Sequence, residues 1–184
     1  MSNFGNTGQM GRILGKIKAV LWLAPDFFVT IGPGSASAGY YFYVQAPPTM
    51  KSTYILDAND ASAILAAAET EALANHWAVV IAIVDAGGHL MALKRLDGVA
   101  TISSHIAPAK ARTAALGCRE SRIYEEMING GRVSFLSAPL LEGMLEGGVP
   151  ILKEGQCIGA VGVSGVKSSE DAQIARAGIA ALGL

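Results

Sequence analysis

Val79-Val80-Ile81-Ala82-Ile83-Val84, then Asp85-Ala86-Gly87-Gly88, then His89-Leu90-Met91-Ala92-Leu93-Lys94-Arg95-Leu96, is the stretch that decides the fold. The first run is rich in β-branched residues and long enough for a buried strand. The four residues after it make a tight turn. From His89 the chain alternates, with Leu90, Ala92 and Lys94 on one side and Met91, Leu93 and Arg95 on the other. Two such runs joined by a short glycine-containing loop predict a β-hairpin, closed by Asp97-Gly98.

Upstream, Ala61, Ile64, Leu65, Ala68 and Ala72 recur at helical spacing, with Asp57 placed to cap and Asp60 in the capping-box position. That helix is expected to reach about His76. Downstream, Ser103 to Gly117 is an alanine-rich helix, with Pro108 fitting best in its first turn, where a missing N–H costs least. Ser121 to Ile128 reads as a short helix and Val133 to Leu136 as a short strand. Gly147-Gly148-Val149-Pro150 reads as a stiff turn into a strand at Ile151-Leu152-Lys153. Glu154-Gly155 turns the chain again into the apolar strand Cys157 to Val163. Ser168 is placed to cap a last helix, with Asp171 in the box position. Hairpins demand antiparallel pairing, and helices must cover a sheet. The expectation is an α/β chain of the α+β kind: a single antiparallel sheet of about five strands flanked by helices.

A length of 184 residues points to one domain, large enough to bury a core without a disulfide or metal staple. Only 16% of residues are charged, so little repulsion keeps copies apart and self-association is expected. The formal charge of −1 leaves no broad basic field, which argues against nucleic acid as a partner. Cys118 and Cys157 fall outside CxxC or zinc-ligand spacing and read as small buried hydrophobes. Residues 1–49 differ from the rest. Arg12, Lys16 and Lys18 precede the apolar stretch Ala19–Ala24, and Ala36-Ser37-Ala38 imitates a signal-peptidase site. Pro25, Asp26 and Gly32-Pro33-Gly34 interrupt that pattern, and no run is long enough to span a bilayer. No membrane partner is expected, and the expected location is the cytoplasm. Export is the alternative if residues 1–38 act as a signal. The periodic sequence begins abruptly at Met50-Lys51. The expected organisation is therefore a poorly ordered extension over 1–49 and a folded domain over 50–184.

Five segments, in order, carry a resemblance: Val84-Asp85-Ala86-Gly87-Gly88-His89-Leu90, Arg95-Leu96-Asp97-Gly98, Lys110-Ala111-Arg112-Thr113-Ala114, Gly147-Gly148-Val149-Pro150-Ile151, and Ile158-Gly159-Ala160-Val161-Gly162-Val163-Ser164-Gly165. Together they resemble the GlcG/HbpS family, which includes the C-terminal domain of PduO-type adenosyltransferases. The resemblance covers nearly all of residues 51–184. It implies a profilin-like fold and a symmetric homo-oligomer, often an octamer. It also implies haem as a candidate cofactor in an accessory protein of a catabolic or redox-response system.

The residues themselves leave alternatives open. Arg95 and Asp97 point to one face of a strand end, and with Lys110 they either form a salt bridge that holds strand to helix or line a pocket. In the pocket reading Arg95 and Lys110 hold a small anionic ligand or a haem propionate, since a guanidinium donates two parallel hydrogen bonds to such groups. His105 is the candidate metal ligand for haem iron, and its other reading is a surface histidine near a helix start. Gly148 and Pro150 belong to a turn whose N–H groups either approach an anion or only shape the chain. Asp85 and His89 read as turn residues, and His76 as the end of a helix. No GxGxxG, P-loop or Ser-His-Asp spacing is present. The alternative function is an enzyme acting on a small carboxylated intermediate, with His105 or Asp97 moving a proton.

Overall fold

The computed structural model describes residues 28–32, 41–45, 50 and 52–184. The chain divides into two compact units, Met1–Ser52 and Thr53–Leu184. In the first, β1 (Phe28–Gly32) and β2 (Tyr41–Gln45) pair antiparallel, with Phe28 opposite Gln45 and Gly32 opposite Tyr41. No periodicity in the sequence points to these two strands. Arg12, Lys16, Lys18, Ala19–Ala24 and Ala36-Ser37-Ala38 lie outside the described residues.

The second unit runs α1 (Ala58–Ala74), β3 (Val80–Asp85), β4 (Leu90–Arg95), α2 (Ser103–Gly117) and α3 (Ser121–Asn129). A 3-10 turn (Val133–Ser137), β5 (Gly148–Lys153), β6 (Gln156–Ser164) and α4 (Ser168–Ala180) follow. Its sheet has the order β4-β3-β6-β5, antiparallel throughout. The sheet has four strands where about five were expected, because Val133–Ser137 coils instead of extending. The Phe135 N–H donates to Arg132 O, Ser137 Oγ donates to Ser134 O, and the Phe135 ring stands edge-on to Tyr124 at 5.6 Å. Those local bonds satisfy the backbone without a ladder partner.

The period of two along β3 sorts the layers. Val79, Ile81 and Ile83 pack with Ile64, Ala68 and Ala72 of α1 and with Ala172, Ile174 and Ala175 of α4. Val80, Ala82 and Val84 face the other way, against Ala107, Ala111, Ala114 and Ala115 of α2. Both faces are covered, which is why the Val79–Val84 run reads as uninterrupted apolar sequence. Alanines on α2 meet glycine on β6: a Cβ at Gly162 would lie 2.1 Å from Ala107 O and 2.5 Å from Ala111 N. The helix rests directly on the strand backbone, and the small residues on both sides are what allow it.

Four local expectations change. A bulge between Ile83 and Val84 sets Ala92 opposite Ile83 but Leu90 opposite Val84, so Leu90 joins Leu93 and Arg95 on the α2 side of the sheet. Pro108 sits in the second turn of α2, not the first, where it removes a bond to Ser104 O; tight packing on the sheet offsets that loss. Pro150 lies within β5, not in a turn. It is tolerated there because β5 is an edge strand of the sheet, where an absent N–H breaks no second ladder. The box of α4 is shifted by one residue: the Lys167 N–H donates to Glu170 and Ser168 is the first helical residue, so Asp171 is free to turn inward.

Gly162→Ala should lower stability by about 2–3 kcal/mol in urea unfolding, since the added methyl forces α2 off the sheet. Gly155→Ala adds a methyl in open space at φ 77, so it should cost only about 1 kcal/mol, through backbone strain alone. Equal losses at the two positions would refute the close-approach account.

Candidate functional site

The first helix ends in an unusual way. Asn75 is its C-cap, and the following residue, His76, is left-handed at φ 58. The His76 N–H donates to Leu73 O at 3.1 Å and the Trp77 N–H to Ala72 O at 2.9 Å. This is a Schellman ending with histidine in the place that glycine usually fills. Trp77, next in line, packs against the core. The ending therefore fixes both rings at the mouth of an open groove of about 450 Å³, between the end of α1 and the end of β4.

Leu73, Trp77 and Leu96 give the groove its apolar wall, and Glu69, His76, Lys94, Arg95 and Asp97 its polar groups. Lys94 is tied to Glu69 by an ion pair. Arg95 Nη2 donates to Val99 O at 3.3 Å, which leaves most of its fork for other acceptors. Among the described residues, neither Arg95 nor Asp97 forms an ion pair, so no strand-to-helix salt bridge runs through these two.

Lys110 is not at this groove. Arg95 lies opposite Val80, and Val80 lies opposite Ser164, so β3 separates the Arg95 strand from β6, whose Val163 O the Lys110 ammonium meets. With strands about 4.8 Å apart, those two steps put them roughly 10 Å apart, too far for hydrogen bonds to one carboxylate. Lys110 is only 3% exposed. Its Nζ donates to Asp171 Oδ2 at 2.8 Å and to Val163 O at 3.0 Å. Asp171 Oδ1 accepts from the Val166 N–H. Burial pushes the Asp171 carboxyl above its ordinary value, and Lys110 pulls it back only in part. A carboxyl raised on folding holds its proton more tightly in the folded chain. Its contribution to stability is thus full below its ordinary value and declines as pH rises through the folded one.

Gly148 and Pro150 also lie away from the groove, on β5. The Gly148 N–H is committed to Ser121 Oγ at 2.8 Å, and a Cβ there would lie 2.3 Å from Lys110 O. It is packed inside the protein, and its N–H is already satisfied. His105 is exposed on the first turn of α2. No group of three His, Cys, Asp or Glu side chains that could hold a metal ion occurs among the described residues. Asp85 caps its own turn: its Oδ1 accepts from the Gly87 and His89 N–H groups, and its carboxylate meets the His89 ring at 3.1 Å. Partial desolvation raises its carboxyl, but those bonds outweigh it and hold the group below its ordinary value.

Of the candidates read from the sequence, Arg95 and Asp97 line the groove; His76, read as the end of a helix, and Trp77 line it too, while Ser121 and Asp171 hold Gly148 and Lys110. For His76 a signal existed: a histidine where a helix ending in Leu73-Ala74-Asn75 would normally meet glycine. Ser121 and Asp171 act through distant backbone and side-chain partners, and no local pattern marks them.

The family described as "Haem degrading protein HbpS-like" matches residues 56–180. Protein GlcG of Escherichia coli strain K12 is 57% identical over 115 residues, covering 62% of this chain and 85% of its own length. Among solved structures, HbpS superposes with a TM-score of 0.67 at 27% identity, covering 73% of this chain and 95% of its own. The PduOC haem complex superposes with a TM-score of 0.63 at 30% identity, covering 70% and 95%.

Lys110→Met should cost about 3–5 kcal/mol, because it leaves the Asp171 carboxyl buried and uncompensated. The double variant Lys110→Met/Asp171→Leu should recover much of that loss, giving a coupling of more than about 1 kcal/mol in a double-mutant cycle. Additive losses would mean that the pair is not acting as a unit.

Proposed function

The chain belongs to the HbpS-like family, and from that premise we propose that it is a small haem-binding accessory protein whose ligand sits at the α1–β4 groove. The observation that carries this reading is the left-handed His76, which lines that groove together with Arg95. A strained residue at a cleft is a reasonable place to look for function. The residues present fit haem. Leu73, Trp77 and Leu96 offer apolar surface to a macrocycle, Arg95 offers a cation to its propionates, and His76 offers an imidazole. When bound, haem would supply an iron able to take such an axial ligand. The groove volume is in the range of small-molecule clefts. The PduOC relative, whose structure holds haem, supports the same ligand class.

A second reading rests on three groups of the same groove. With Arg95 to hold a carboxylate, and His76 and Asp97 beside it, the groove also suits a small carboxylated substrate that loses or gains a proton. Saturable binding of small carboxylates with no response to hemin would favour it.

Self-association is part of the proposal. Leu90 (56% exposed) and Leu93 (39% exposed) share the α2 side of β4, a strand at the edge of the sheet. Light scattering should give a mass several times 19.0 kDa, and Leu93→Lys should reduce it. A monomeric parent would refute the assembly.

Hemin titration tests the ligand. The parent should show a saturable Soret shift that His76→Ala weakens at least about tenfold, roughly 1.4 kcal/mol of binding. Arg95→Ala should weaken affinity without changing the ligation spectrum. His76→Gly should lose binding as well while raising stability by about 1 kcal/mol, because glycine adopts the left-handed position without strain. If His105→Ala alone abolishes the shift, the site lies on the exposed face of α2 and the groove assignment fails.

A further inference from the structure

Two thiols far apart in the chain converge on one carbonyl. Cys118 is the C-cap of α2, left-handed at φ 49, and Cys157 is the second residue of β6. The Cys118 Sγ lies 3.6 Å from Ala115 O and the Cys157 Sγ 3.5 Å from the same atom. Cys118 is exposed and Cys157 is half-buried, which corrects the expectation of two buried hydrophobes. The sequence holds no other cysteine.

We propose that Cys118 and Cys157 form a reversible disulfide, an oxidant-driven clasp between the end of α2 and the start of β6. The oxidant is hydrogen peroxide. Exposed Cys118 meets it first: its thiolate sulfur attacks one peroxide oxygen, the O–O bond breaks, and water leaves after protonation. Cys118 is then a sulfenic acid. Cys157 gives up its proton, its sulfur attacks the Cys118 sulfur, the S–O bond breaks and a second water leaves. Two thiols lose two electrons and one peroxide gains them.

The order follows from the environment. Burial and the neighbouring Cys118 charge push the Cys157 thiol up to about 11, so it is a poor first nucleophile. Once Cys118 is a neutral sulfenic acid, no thiolate stands beside Cys157 at the step that needs its proton loss. The finished bond closes a loop of about 40 residues that holds α3, the 3-10 turn and β5. A crosslink of that span restrains the unfolded chain. None of this depends on haem.

The test uses the full chain, reduced and then treated with hydrogen peroxide at near-stoichiometric amounts. Intact mass should fall by two hydrogens, both thiols should vanish from a thiol titration, and peptide mapping should join Cys118 to Cys157. The chain should remain uncrosslinked on a non-reducing gel. Thermal unfolding of the oxidised form should shift up by roughly 5 °C or more, and dithiothreitol should reverse it. In Cys157→Ser, Cys118 should accumulate as a sulfenic acid that dimedone traps. In Cys118→Ser, Cys157 should stay reduced at the same dose. The proposal is overturned if both thiols survive the treatment in the parent, if the bond joins two chains, or if Cys157 is oxidised as readily without Cys118.

Discussion

The buried contact between Lys110 and Asp171 ties the layers of the second unit together. Lys110 starts on α2, which covers one face of the sheet, and its ammonium ends on α4, which covers the other. The side chain passes the edge of the sheet at Gly147, where a Cβ would lie 2.7 Å from Nζ and 2.8 Å from Val163 O. Only a residue without a side chain leaves that passage open. The pair is not a large source of stability, because burial already works against the Asp171 charge. What it does is specify: α2, β6 and the start of α4 must be in register for one ammonium to meet a carboxylate and a carbonyl at once.

Helix α2 needs such a contact because its own ends are weak. It has no side-chain cap at Ile102, no acidic residue in its first turn, no basic residue in its last, and a proline in its second turn. Its four buried alanines bring it onto the sheet but bury little apolar area each. Position is therefore set by points of attachment. Lys110 holds its middle, Arg112 Nε reaches Gly88 O at 3.4 Å, and Gly143 closes on Ala109 and Lys110 so tightly that a Cβ would lie 2.2 Å from Ala109 C.

What could be read from the sequence divides along the same line. The β3–β4 hairpin, the Asp57/Asp60 box and the β5–β6 hairpin were legible, because a period of two or a capping pattern is written in adjacent residues. The α4 box was misplaced by one residue because both Glu170 and Asp171 suit it, and only Lys110 decides which turns inward. Lys110 itself stayed open between a structural ion pair and a ligand contact for the same reason: an ammonium beside an exposed arginine and one beside a buried aspartate look alike in sequence. Arg95 and Asp97 were legible as neighbours because a strand end places them together locally. His76 was read as structural, and the Schellman geometry agrees, yet that geometry also sets its ring at the groove.

The groove and the thiol pair are built from different parts, and that separation has a consequence. The groove uses the end of α1 and the end of β4, near Val80 and Ser164. The thiols use the end of α2 and the start of β6, beyond Gly159 and Asp85 at the other end of the sheet. A bond between Cys118 and Cys157 restrains α2 without touching any residue that lines the groove. Its influence must pass through the β6–β3–β4 ladder, which is buried on both faces through Val79–Val84 and has little freedom to move. Oxidation should therefore change how firmly α2 and the segment up to β5 are held, and with them any surface they present to another copy, more than it changes ligand affinity at His76 and Arg95.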